Sequence, residues 1–150
     1  MTAADRPIGT KALAVDLGTR RIGLAVSDRA GSMAFPHSVI VRSGDHGADR
    51  AAIAGAVAET GATTVVVGLP LSLDGSDGPA ARDARLEAAA LQGALVGIEV
   101  VLFDERLTTV SAEAALVAAG RRGRDRRAVV DSAAAAVLLQ SWLDAGRPTP

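Results

Sequence analysis

The chain has 150 residues, 49% of them hydrophobic, and its 16 basic and 17 acidic side chains leave a net charge of -1. That suits one compact domain and is too short for a two-lobed kinase or an actin-like ATPase. With no cysteine it has no disulfide, thiolate or Cys-ligated metal site, and Phe35, Phe103 and Trp142, its only aromatics, make no stacking platform for single-stranded nucleic acid.

Residues 1–10 hold Pro7 and Gly9 without periodicity and read as a flexible tail. Ala12 to Leu17 is a short apolar run, hence a strand, closed by the turn residues after Asp16. Arg21 to Ser27 alternates, with Ile22, Leu24 and Val26 on one face, and the link between these two strands is short enough for a hairpin. Ser38 to Val41 reads as a third strand. Asp49 to Thr60 then has helical spacing, with Ile53 and Val57 four apart and Gly61 as a stop. Thr63 to Val67 is a β-branched run suited to a strand buried on both faces. After a Gly/Ser/Asp-rich loop to Pro79, Ala80, Ala84, Ala88, Leu91 and Leu95 mark a second helix. Glu99 to Phe103 is a fifth strand, Thr108 to Ala119 a third helix, and about Val129 to Ala145 a fourth, joined by an Arg-rich link over 121–127.

The order βββ-αβ-αβ-αα predicts one α/β domain over residues 11–146, followed by a flexible C-terminal tail, 147–150. Its sheet is five-stranded and mixed, an antiparallel three-strand meander plus parallel strands, with helices on both faces. No apolar run crosses a membrane and no basic-then-apolar leader opens the chain, so the expected location is cytoplasmic.

Three positions could carry chemistry. Asp16 lies in an otherwise apolar strand, where a carboxylate is costly unless it binds something; it could equally cap the following turn. Asp104 and Glu105 follow a strand directly and cannot both face one side, so one is a ligand or cap candidate. Asp131 stands near the start of the last helix, where the dipole favours an acid whatever its role. Together they could form an oxygen-ligand site for Mg²⁺ or Mn²⁺. Charge is unevenly spread: Lys11 is the only lysine, and five of the fifteen arginines, Arg121, Arg122, Arg124, Arg126 and Arg127, fall in one stretch suited to phosphate contacts. Arg20, Arg21, Arg82 and Arg106 are further candidates. Gly68 and Pro70 fix a turn where open α/β sheets place ligands. His37 and His46 read as surface residues, and Trp142 as core.

The segments Ala14–Asp28, Val67–Leu71, Asp104–Thr109 and Val130–Ala134 resemble, in order, those of the YqgF-type (RuvX-like) nucleases, also called Holliday-junction-resolvase-like or pre-16S rRNA nucleases. The likeness runs from about residue 12 to 145. It implies an RNase H-like fold and a metal-dependent endonuclease, with Asp16, Glu105 and Asp131 as catalytic and metal-binding residues and Asp104 as the alternative to Glu105. Gly68, Pro70 and Asp74 match the family's substrate loop. The implied role is processing the 5′ end of pre-16S rRNA alongside the ribosome assembly machinery, as monomer or homodimer. The alternatives are a Holliday junction resolvase acting on branched DNA, and a non-catalytic nucleic-acid-binding module whose acids only cap turns.

Overall fold

The computed structural model describes residues 10–108 and 126–148, and for residues 126–131 the backbone alone. Five strands, β1 (Ala12–Leu17), β2 (Arg21–Ser27), β3 (Ala34–Val41), β4 (Thr64–Leu69) and β5 (Glu99–Asp104), form one sheet in the order β3-β2-β1-β4-β5. β1 pairs antiparallel with β2 and parallel with β4, which pairs parallel with β5, giving the expected mixed sheet. The helices are α1 (His46–Thr60), α2 (Pro79–Ala94) and α3 (Arg126–Asp144). The expected helix over 108–119 and the arginines 121–125 lie outside the described residues, apart from Thr108.

Alternation along the strands divides the core into two layers. Leu13, Val15, Ile22, Leu24, Val65 and Val67 face α1 and α2, which add Ile53, Val57, Ala84 and Leu91. The opposite face carries Ala12, Ala14, Ala25 and Ala34, and α3 meets it with Ala135, Ala136 and Leu139. Such small residues let the helix lie close to the sheet, and the fully buried Trp142 fills the space toward its end.

Several boundaries differ from the sequence reading. β3 begins four residues earlier than Ser38, running through Pro36. Ala25 pairs with Pro36 and Leu24 with Ser38, leaving His37 as an extra residue in a bulge. An edge strand tolerates a proline because no neighbour needs its missing N–H. α1 starts three residues before Asp49, because Asp45 caps it, accepting from the Gly47 and Ala48 amides at 2.9 and 3.2 Å. Asp49 is instead buried, its carboxylate accepting from the Ser43 amide and hydroxyl. α3 already includes Arg126, ahead of the expected start at about Val129, so Arg126 and Arg127 are helical residues and not part of a link. Arg147 and Pro148, assigned to a tail by sequence, are tied to the domain. The Trp142 indole donates to the Pro148 carbonyl, and Arg147 stacks over that ring and donates to the Thr10 hydroxyl.

Candidate active site

Asp16 is the fifth residue of β1, opposite Gly23 of β2 and half-buried. The strand ends in a tight turn whose Gly18 amide donates to the Arg21 carbonyl at 2.8 Å. A β-carbon on Gly18 would stand 2.6 Å from that carbonyl oxygen, so the close approach itself demands glycine.

Two strands away, β5 runs straight into a single 3₁₀ turn, Glu105–Leu107. Asp104 caps that turn through the Arg106 amide. Its carboxylate also takes the Arg106 guanidinium, with a 2.6 Å contact to Nη2. That guanidinium holds the Asp104 carboxyl below the usual range. Glu105 turns the other way. Its carboxyl is half-buried above Gly68 of β4, where a β-carbon would lie 2.5 Å from Oε1 and 3.1 Å from Leu138 of α3. Glycine at 68 is therefore the vacancy in which Glu105 sits. The two acids thus separate as strand geometry requires, with Asp104 engaged by its own turn and Glu105 directed to the site.

Glu105 hydrogen-bonds to Asp16. Burial first, and then the Asp16 negative charge, pushes the Glu105 carboxyl from its ordinary 4.5 up to about 7. Two carboxyl groups held this close cannot both ionise cheaply, so the pair favours the state in which Glu105 keeps its proton. A divalent cation would relieve the same repulsion, and two carboxylates are the hard oxygen donors that Mg²⁺ and Mn²⁺ prefer. Among the described residues no third acidic or histidine side chain joins the pair to form a metal-holding group. Asp131 falls on α3 seven residues before Leu138, so the helical period returns both positions to one stripe. It is the sixth described residue of the helix, and its side chain lies outside the described residues.

The loop beyond Gly68 is tightly built. Asp74 accepts from the amide and hydroxyl of Ser76, which lower its pKa. Pro70 is half-buried. Arg106 bridges from Asp104 to the Leu73 carbonyl at 3.3 Å, which makes it a tie between the loop and the Glu105 turn. Arg20 and Arg82 are exposed, while Arg21 is partly buried. Arg20 lines an open cleft of about 410 Å³ together with Thr19, Arg42, His46 and Asp49. That cleft contains neither Asp16 nor Glu105; the carboxyl pair is defined by its contacts rather than by a deep cavity.

Arg42 is a supporting residue the sequence did not single out. It donates to the Gly18 carbonyl at 2.7 Å and lies 3.5 Å from Asp83 of α2, bracing the turn after Asp16. Nothing in its local sequence marks this, because its strongest partner is a backbone carbonyl 24 residues away. Leu138 was missed for a similar reason: on an apolar helix nothing distinguishes the residue that closes the space beside Glu105.

Known proteins resemble this chain in sequence and in fold. A protein of Kineococcus radiotolerans carrying the name "Putative pre-16S rRNA nuclease" is 52% identical over 135 residues, covering 90% of this chain and 72% of that one. A protein of Anaeromyxobacter dehalogenans with the same name is 49% identical over 138 residues, covering 92% and 99%. Among solved structures, Thermus thermophilus RuvC superimposes with a TM-score of 0.62 at 15% identity, over 94% of this chain and 99% of that one. The same protein bound to a Holliday junction gives 0.58 at 16%, with the same coverage. At such identity the likeness establishes an RNase H-like fold. The family model described as "RuvX: Holliday junction resolvase" matches residues 10–145, and with relatives about half identical across nine-tenths of its length, the chain belongs to the RuvX family.

Proposed function

We propose that this chain is a metal-dependent endonuclease that processes the 5′ end of pre-16S rRNA in the cytoplasm. The observation that carries the reading is the half-buried Asp16–Glu105 carboxyl pair seated over Gly68, at the strand ends of an RNase H-like sheet. Asp16, Glu105 and Asp131 would hold the ions, with Asp104 kept out of that set by Arg106. Held there, two divalent ions, Mg²⁺ or Mn²⁺, would supply the activation of a water and the stabilisation of the leaving oxygen. The protein's own contribution is to orient the carboxylates. β1 and its braced turn fix Asp16, the 3₁₀ turn fixes Glu105, and α3 closes one side through Leu138. Arg20, Arg21, Arg82 and the cluster Arg121, Arg122, Arg124, Arg126 and Arg127 would hold the phosphate backbone. Ribosome assembly factors are the natural partners of such an activity. No described helix is long and apolar enough to cross a membrane.

A second reading, resolution of four-way DNA junctions, is favoured by the description of the matching family. One experiment separates these readings. Purified protein is incubated with pre-16S rRNA fragments and with four-way junctions, in Mn²⁺ or in chelator. Metal-dependent cleavage of the rRNA fragment, lost in Asp16→Asn, is the expected result. Cleavage of junctions alone moves the function to branched DNA. Cleavage that survives chelator or Asp16→Asn sinks the carboxylate mechanism, and binding without cleavage in every metal leaves a non-catalytic module.

A further inference from the structure

Leu73 is 96% exposed, more than any other large hydrophobic side chain among the described residues. A solitary surface leucine carries no meaning by itself. What sets this one apart is its support. The turn it occupies is closed by the Ser72 amide on the Ser76 carbonyl at 3.0 Å and the Gly75 amide on the Ser72 carbonyl at 2.8 Å. Asp74 ties Ser76 from inside, at 2.9 Å to its amide and 2.7 Å to its hydroxyl. The chain leaving the turn is fixed by Arg85, which grips Asp77 with two contacts, the shorter 2.7 Å. Finally the Leu73 carbonyl itself is held by Arg106, whose guanidinium is anchored on Asp104, the residue before Glu105. A rigid turn therefore displays a bare apolar side chain, and the strut that positions it is rooted in the turn that carries Glu105. Leu107, 60% exposed, stands on that second turn beside the strut.

We infer that Leu73 is a substrate-contacting residue, packing against the face of an unstacked base or its sugar in a single-stranded segment next to the cleaved phosphate, and that Arg106 is the positioning residue that sets its place relative to Glu105. This rests on the nuclease reading of the site and adds to it a preference for unpaired nucleotides. An aliphatic tip suits such a contact because it can pack on any base without reading its edge, and in a paired duplex the base faces are covered by stacking. Arg106, with its Nε, Nη1 and Nη2 each donating to Asp104 or to the Leu73 carbonyl, acts through the turn rather than on a phosphate.

The test uses binding in chelator, so that it does not depend on cleavage. In Leu73→Trp the introduced indole is the only solvent-facing one, because Trp142 is fully buried. Its emission should be quenched saturably by a single-stranded RNA but not by the same sequence fully paired. In the otherwise unaltered chain, Leu73→Asn should weaken binding of that RNA about fivefold and Leu73→Met by less than about twofold, from partial loss of apolar burial. Adding Arg106→Gln to Leu73→Trp should abolish the quench while leaving the slope of affinity against salt unchanged. A residue that contacts phosphate would reduce that slope by about one. Anisotropy of a labelled RNA reports binding independently. Binding without quench, or equal quench by the duplex, overturns the inference alone. A reduced salt slope with the quench intact returns Arg106 to phosphate contact and overturns the strut. Absence of binding to any nucleic acid defeats both the inference and the nuclease reading beneath it.

Discussion

Glu105→Gln should make the metal-free protein more stable at pH 8 while destroying its activity. The Glu105 carboxyl titrates at about 7 in the fold against an ordinary 4.5, with burial and the Asp16 charge as the causes. Below pH 4.5 it is protonated in both folded and unfolded chains and contributes nothing to pH dependence. Between pH 4.5 and 7 the unfolded chain gives up the proton and the folded chain keeps it, so stability falls as pH rises; above 7 the whole cost is present. Moving a carboxyl that far amounts to at most on the order of 3 kcal/mol, and solvent reaching the half-buried pair lowers it. Glutamine keeps a hydrogen-bond donor for Asp16 and removes the charge. The expected gain at pH 8 is therefore up to about 3 kcal/mol, or roughly 5–10 °C in Tm for a chain of this size, shrinking to nothing near pH 4. Thermal unfolding in chelator, followed by circular dichroism across that range, measures it. The same scan in millimolar Mg²⁺ or Mn²⁺ should stabilise the parent at pH 8 by mass action and leave the variant much less affected. A variant no more stable than its parent at pH 8, or a gain that persists undiminished to pH 4, would refute the assignment of repulsion to this pair.

Further outcomes follow from named contacts and from the charge pattern of the sequence. Gly68→Ala places a methyl group 2.5 Å from Glu105 Oε1 and 3.1 Å from Leu138, and should displace Glu105 and lower kcat about 100-fold, read in a cleavage assay. Glu87→Ala leaves Arg50 without its two-point carboxylate partner between α1 and α2, at 3.0 and 3.2 Å, and should cost about 1–2 kcal/mol in urea unfolding, less than a fully buried pair because Arg50 keeps some solvent. The pair Arg50→Met with Glu87→Leu should recover most of that loss, because it leaves no partly buried charge without its partner. Replacing Arg121, Arg122, Arg124, Arg126 and Arg127 together by Ala should flatten the salt dependence of nucleic-acid binding, and an unchanged slope would remove the cluster from the interface.

The chain's own pattern determined the order of the described strands and helices and the mixed sheet, because each strand is a short apolar run with its own stop signal and hydrophobic periodicity is a local property. β1 and β2 are legible to the residue for that reason. β3 was cut short at Pro36, whose acceptability depends on lying at a sheet edge beside a bulge, a fact about neighbours rather than about proline. The start of α1 was likewise hidden behind the Asp45 cap. At the site, Asp16 and the Asp104–Glu105 pair were visible as acids at apolar strand ends. Which of the two adjacent acids faces Asp16 was decided only in three dimensions, by Arg106 engaging Asp104 and by the vacancy above Gly68. The same holds for Arg106 itself, which local sequence offers as a phosphate ligand and the fold employs as a tie to Leu73. Sequence can state that charges exist. Whether two like charges meet, and how much their meeting costs, depends on distances between residues 89 positions apart, and those belong to the tertiary structure alone.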